Sequence, residues 1–126
     1  MSSPFLDAPA SDHLAENELA FAIPDGFPVS PGHTLVVPRR LVVTWFDATA
    51  DEKVALVQLV DVVKRKLDER FRPDGYNVGF NAGEAAGQTV PHLHIHVIPR
   101  YHGDVPDPRG GVRWVIPGKA AYWERE

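Results

Sequence analysis

The run His92-Leu-His94-Ile-His96-Val-Ile-Pro99 decides the reading of this chain. Histidine alternates with aliphatic residues at a spacing of two, the period of a β-strand. A strand over His92–Pro99 puts His92, His94 and His96 on one exposed face. Leu93, Ile95 and Val97 then point the other way, into a core. Same-face neighbours sit ~6.6 Å apart, at ~3.3 Å rise per residue. The product is a row of three imidazoles on a rigid mount, as a precise site requires.

Three readings compete for such a row. It is a surface strand that happens to carry histidines, or a zinc or copper site completed by His33 or His102. Or it handles phosphate: an imidazole titrates near neutrality, so it serves as a neutral nucleophile in one state and a cationic clamp in another. The residues upstream favour phosphate. Gly83, Gly87, Gln88 and Thr89 lead into the strand. Gly-rich backbone offers N–H groups to anionic oxygens, and Gln88 and Thr89 add side-chain donors. A strand that only binds metal has no use for such a cradle.

Working outward, Tyr76–Asn81 alternates and reads as a strand. Before it, Leu56, Leu59, Val60, Val63 and Leu67 recur at helical spacing. They define one long helix that starts near Thr49 or Asp51 and stops at Pro73-Asp74-Gly75. Thr34–Pro38 is a short β-branched strand ended by proline, and Leu19–Ile23 reads as another. Leu14–Leu19 reads as a short helical turn. Residues 1–12 are expected to fray, and residues 102–126 to form an irregular arm with Trp114 and Trp123. His13 and His102 read as solvent-exposed, and Arg100 as a solvated residue.

The whole of 1–126 reads as one domain, with 44% hydrophobic residues to build a core. The formal net charge is −4, from 13 basic and 17 acidic residues, with no basic block. Binding to a nucleic-acid polymer is therefore not expected. There is no cysteine, which removes disulfides, thiolate chemistry and cysteine-ligated zinc. Met1–Ala20 lacks the basic and apolar regions of a signal peptide. No apolar run approaches the ~20 residues of a membrane span. A cytoplasmic protein without membrane contact is the expectation.

At this point the sequence resembles the histidine triad (HIT) superfamily, whose mark is His-φ-His-φ-His-φ-φ with φ apolar. His92-Leu-His94-Ile-His96-Val-Ile98 matches at every position. The likeness extends through Asn81-Ala-Gly83, Ala86-Gly-Gln-Thr-Val90 and Pro31-Gly-His33-Thr-Leu-Val-Val-Pro38, covering Leu19 to Tyr101. His96-Val-Ile-Pro-Arg100 is most similar to the fragile-histidine-triad, or dinucleoside polyphosphate hydrolase, branch. The resemblance implies an α+β fold: a HIT-like antiparallel sheet with one long and one short helix, and two protomers forming a continuous sheet as a homodimer.

It also implies roles. His94 is the nucleophile, His96 contacts phosphate and helps the leaving group, and His92 and His33 orient and polarise the nucleophile. Asn81, Gly87, Gln88 and Thr89 contact phosphate, Asp25 the ribose, and Phe21, Ile23 and Leu35 wall the base pocket. The implied activity is hydrolysis of dinucleoside polyphosphates or adenylated compounds through a nucleotidyl-histidine intermediate. The alternatives are a nucleotidyltransferase or phosphorylase that resolves the same intermediate with phosphate, and a nucleotide-binding regulatory protein. A purine nucleotide or dinucleoside polyphosphate is the expected partner. No resident cofactor or metal is expected; Mg2+ would travel with the substrate. The chemistry needs a backbone carbonyl near His92 to hold the His94 proton and fix its tautomer.

Overall fold

The computed structural model describes residues 3–124. Residues 1, 2, 125 and 126, at the outer ends of the segments expected to fray or to form the arm, lie outside the described residues. The elements are β1 (Ala15–Glu16), β2 (Ala20–Pro24), β3 (Thr34–Pro38), α1 (Ala50–Phe71), β4 (Gly75–Gly79), β5 (Ile95–Arg100) and α2 (Pro117–Ala120). The five strands form one antiparallel sheet in the order β1-β2-β3-β5-β4. This is the expected α+β architecture, with one long helix and one short one. No helix among the described residues is long and apolar enough to cross a membrane.

The sheet has two different faces. On one, Leu56, Leu59, Val63 and Leu67 of α1 pack against Ala20, Ala22, Val36, Leu93, Ile95 and Val97. Each such α1 side chain contributes roughly 1.5–3 kcal/mol on full burial. On the other face, Phe21, Ile23, Leu35 and Val37 form a second cluster, covered by Phe5 and Ala8. The N-terminal segment is thus packed on the sheet, not frayed: Ser3 is 1% exposed, and Leu6 and Asp7 donate their N–H groups to the Ser3 carbonyl.

The strand read over Tyr76–Asn81 is Gly75–Gly79, and two further segments depart more from the sequence reading. Leu14–Leu19 is not helical, because Leu14 donates to Ala22 O and Asn17 to Ala20 O, which adds β1 to the sheet edge. The Asn17 side chain closes that turn by accepting the N–H groups of Leu19 and Ala20. The histidine strand pairs only from Ile95 onward, since Val36↔Ile95 is the last β3–β5 pair. Upstream of it Leu93 N donates to Val42 O instead, so His92–His94 is a lead-in held by a different neighbour.

The start of α1 is tied down twice. Thr49 and Glu52 form a reciprocal capping box. Glu52, buried, also receives two bonds from Arg40 at 3.1 and 2.7 Å. That guanidinium, aided by the Thr49 N–H, holds the Glu52 carboxyl down to about 2. At the far end, Gly32 adopts φ +90°, and a Cβ there would come within 3.0 Å of Phe71. Only glycine lets the β2–β3 hairpin close on α1 and bring His33 into place. Thr49→Ala removes the cap, and we expect a loss of ~1 kcal/mol. The measurement is urea unfolding, with a lower midpoint and an unchanged slope.

Candidate active site

Partners that can only donate or only accept fix the protons of four histidines. His92 Nε2 lies 2.9 Å from Pro38 O, and a carbonyl only accepts, so Nε2 carries the proton. Its Nδ1 then accepts from the Ser3 hydroxyl at 2.7 Å, and Ser3 Oγ accepts the Phe5 N–H at 3.2 Å. His92 is 0% exposed, so it is not on an open face as expected; it is a fully satisfied support. His94 Nδ1 donates to the His92 carbonyl at 2.7 Å, which leaves the lone pair on Nε2.

His33 Nδ1 accepts the Val29 N–H at 3.1 Å. Its proton therefore sits on Nε2, which donates to His96 Nδ1 at 2.9 Å. His96 in turn carries its own proton on Nε2. Two ring nitrogens have no hydrogen-bond partner among the described residues: the lone pair of His94 and the N–H of His96. Their rings meet edge-on, centroids 5.1 Å apart. An unshared lone pair beside an N–H donor is an arrangement that can serve a nucleophile and an oxyanion contact.

Asp25 stands behind this pair. Its Oδ2 is 3.4 Å from His33 Nε2 and 4.0 Å from His96 Nδ1, while Oδ1 accepts the Phe27 N–H. One carboxylate oxygen thus addresses the histidines, a second task beside the ribose contact expected for it. Burial nevertheless depresses the imidazoles. His96 is pushed down to about 4 by burial and then by the neighbouring His94 and His33, against the pull of Asp25. His33 and His92 are lowered by burial too.

Ligand atoms of Asp25, His33 and His96 lie within 4.8 Å of one another, a conceivable cation set. The tautomers oppose that use. With Val29 N–H on Nδ1, a metal on His33 Nε2 would require an imidazolate. His102 is solvent-exposed, lies 3.8 Å from Asp74 and takes no part in the row.

The cradle is narrower than the sequence suggests. The N–H groups of Gly87 and Gln88 donate to Glu84 O and Gly83 O. The Gln88 amide donates to Val43 O and Val90 O and accepts from Gly83. Gly87 and Gln88 therefore stitch the loop together and are not free donors. Thr89 and Asn81 stay exposed, and Thr89 makes no hydrogen bond among the described residues.

Phe21, Ile23 and Leu35 share the histidine face: Leu35 pairs with His96 across the sheet, and Ile23 with Leu35. All three are buried under the N-terminal segment. Phe5 lies 4.8 Å from the His94 ring and 5.9 Å from that of His92. His13 is likewise not a free surface group, but stacks on Phe21 at 4.6 Å and bonds Glu16. Ser3 and Phe5 are the residues that sequence reasoning missed. The Ser3–His92 contact joins positions 89 residues apart, and neither residue sits in a motif. A cleft of about 520 Å³ lies between the β2–β3 hairpin and the end of α1; His33 and Asp25 line it, but His92, His94 and His96 do not. The proton-ordered row lies outside that cleft.

The depressed histidines set a pH dependence. The unfolded chain binds more protons than the fold between the ordinary value of 6.5 and about 4, so stability is full above 6.5 and falls as pH drops through that window. For His96 alone the loss at pH 5 relative to pH 7.5 is on the order of 2 kcal/mol. Urea unfolding at both values checks this, and equal stability at the two would contradict the neutral row.

Comparison with known proteins places the chain in a family. The HIT domain matches residues 9–103. An AP-4-A phosphorylase of Mycobacterium tuberculosis is 38% identical over 109 residues, 82% of this chain and 56% of that protein. A bis(5'-adenosyl)-triphosphatase of Dictyostelium discoideum is 42% identical over 90 residues, 71% of this chain and 60% of its own length. The chain spans about three fifths of the length of these curated relatives. Among solved structures, a member of the HIT family from Bacillus subtilis superimposes with TM-score 0.75 at 32% identity, covering 82% of this chain and 77% of that one. The C. elegans NitFhit protein gives 0.74 at 34%, covering 79% of this chain and 24% of its own. The chain belongs to the HIT domain family.

Proposed function

We propose that the protein is an enzyme that cleaves dinucleoside polyphosphates, or other adenylated compounds, at the α-phosphate. The observation that carries this is the free lone pair on Nε2 of His94, fixed there by the bond from its Nδ1–H to His92 O, beside the unshared N–H of His96. The names of the relatives support the same substrate class.

The His94 lone pair attacks phosphorus. An N–P bond forms while the P–O bond to the leaving group breaks, and the departing oxygen takes the electron pair. His96 Nε2–H donates a hydrogen bond to that oxygen. His94 keeps its Nδ1 proton, so the nucleotidylated ring is cationic, and its bond to the His92 carbonyl becomes charge-assisted and stronger. That gain arises only as the bond to phosphorus forms, which lowers the barrier and not merely the ground state. Water then attacks phosphorus, the N–P bond breaks, and one proton passes to solvent. Magnesium enters only with the substrate.

A second reading replaces water with inorganic phosphate. The 38% identity to an AP-4-A phosphorylase favours it. We also propose a homodimer that continues the sheet through β4, an edge strand whose Val78 is 46% exposed. Light scattering of the purified chain should give twice 13.9 kDa; a monomer mass would end that part. His94→Ala should retain the fold by circular dichroism and lose turnover by on the order of 10⁴-fold or more. Mass spectrometry of the quenched wild type should find a nucleotide on His94. Near-normal turnover by the variant removes His94 from the reaction, and strict dependence on added phosphate decides for the phosphorylase.

A further inference from the structure

The face that carries the histidines does not end at His96. Alternation along β5 continues it through Ile98 to Arg100, at ~6.6 and ~13 Å from His96. Across the β4 ladder, Gly79 lies opposite His96 and Asn77 opposite Ile98. A Cβ on Gly79 would meet nothing within 4 Å. Its missing side chain therefore relieves no clash and leaves open floor beside His96. One step farther, a hollow of about 290 Å³ is lined by Val29, Ser30, Asn77, Ile98, Arg100 and Asp104.

Polar groups are built into this hollow. Arg100 donates to Asp104 at 2.7 and 2.8 Å and to Asn77 Oδ1 at 2.6 Å. A guanidinium has five N–H groups, so one on each terminal nitrogen remains. The Asn77 amide nitrogen lies 3.2 Å from where a Cβ on Gly111 would stand, which puts the C-terminal arm at the end of the hollow. Arg100 is thus not the solvated residue expected from sequence; its side chain is 25% exposed and held in position. Val29 and Ile98 give the hollow an apolar part.

We propose that this lane, from Gly79 to Arg100, is the subsite for the leaving half of an extended polyphosphate. Phosphates beyond the one attacked run over Gly79, and the second nucleoside end lies against Ile98, Asn77 and Arg100. The Arg100–Asp104 pair is neutral overall, and Asp104 repels a free, fully ionised terminal phosphate. The lane therefore suits a polyphosphate capped at both ends. This assignment rests on the reading of His94 as nucleophile, because the lane begins where His96 meets the leaving group.

The test is equilibrium binding to His94→Ala protein, which needs no turnover. Adenosine monophosphate and diadenosine tetraphosphate are titrated by calorimetry. Adding Arg100→Gln should weaken the tetraphosphate about tenfold, the equivalent of one charge-assisted bond, and leave the monophosphate within about twofold. Gly79→Val fills the mouth of the lane without touching Arg100 and should give the same signature. Equal losses for both ligands, an unchanged ratio, or no binding of the tetraphosphate overturns the lane. Turnover by the wild-type protein judges the His94 reading separately.

Discussion

The site depends on one hydrogen bond, from His94 Nδ1 to the carbonyl of His92. It decides which nitrogen of His94 is basic, and it requires that carbonyl to stay in place. Several contacts hold it there. His92 N donates to Val90 O and Leu93 N to Val42 O, and the His92 ring is bonded at both nitrogens. Leu93 is buried in the core under α1. The lead-in to β5 is thus immobilised from three directions, although it lies outside the ladder. A support built from obligate donors and acceptors leaves no freedom of tautomer, and that is what preorganisation means at the level of a single proton.

The two faces of the sheet divide the work. The α1 face is mostly apolar and supplies the burial that holds the strands. The opposite face is then free to carry polar side chains along β5 and β4, while Phe21, Ile23, Leu35 and Val37 fill its other end. The strand order β1-β2-β3-β5-β4 places His33, near the start of β3, next to the strand that carries His96. A sheet that paired β4 with β3 would separate His33 from His96 and leave the relay without its second member.

Much of this was legible in the residues themselves. Alternation over His92–Ile98 gave the two-faced strand, the Leu56–Leu67 periodicity gave α1, and Thr34–Pro38 matched its strand end to end. What was not legible depended on contacts distant in sequence. Ser3 and Phe5 read as frayed because no local sequence pattern marks them; their side chains meet His92 and His94. Gln88 read as a phosphate donor because its type permits it, whereas the three bonds that occupy it come from the Gly83–Val90 loop and Val43. Leu14–Leu19 read as helical because a two-residue edge strand carries too little pattern to recognise. The burial of His92 was hidden for the same reason as Ser3: alternation tells which way a side chain points, not what covers it.

Burial favours the neutral forms of His33, His92 and His96, on which the order of hydrogen bonds rests. Burial and two neighbouring imidazoles outweigh one carboxylate at 4.0 Å, so His96 sits near 4 instead of 6.5. That depression corresponds to ~3 kcal/mol of preference for the neutral form. A single negative charge ~4 Å away contributes ~4 kcal/mol at an effective dielectric of ~20. A polyphosphate bound as proposed would bring several such charges. A second proton on His96 would fall on Nδ1, which already accepts the His33 Nε2–H, so the order of hydrogen bonds opposes what such charges favour. His96 thus keeps Nε2–H as a hydrogen-bond donor with no second proton required of it.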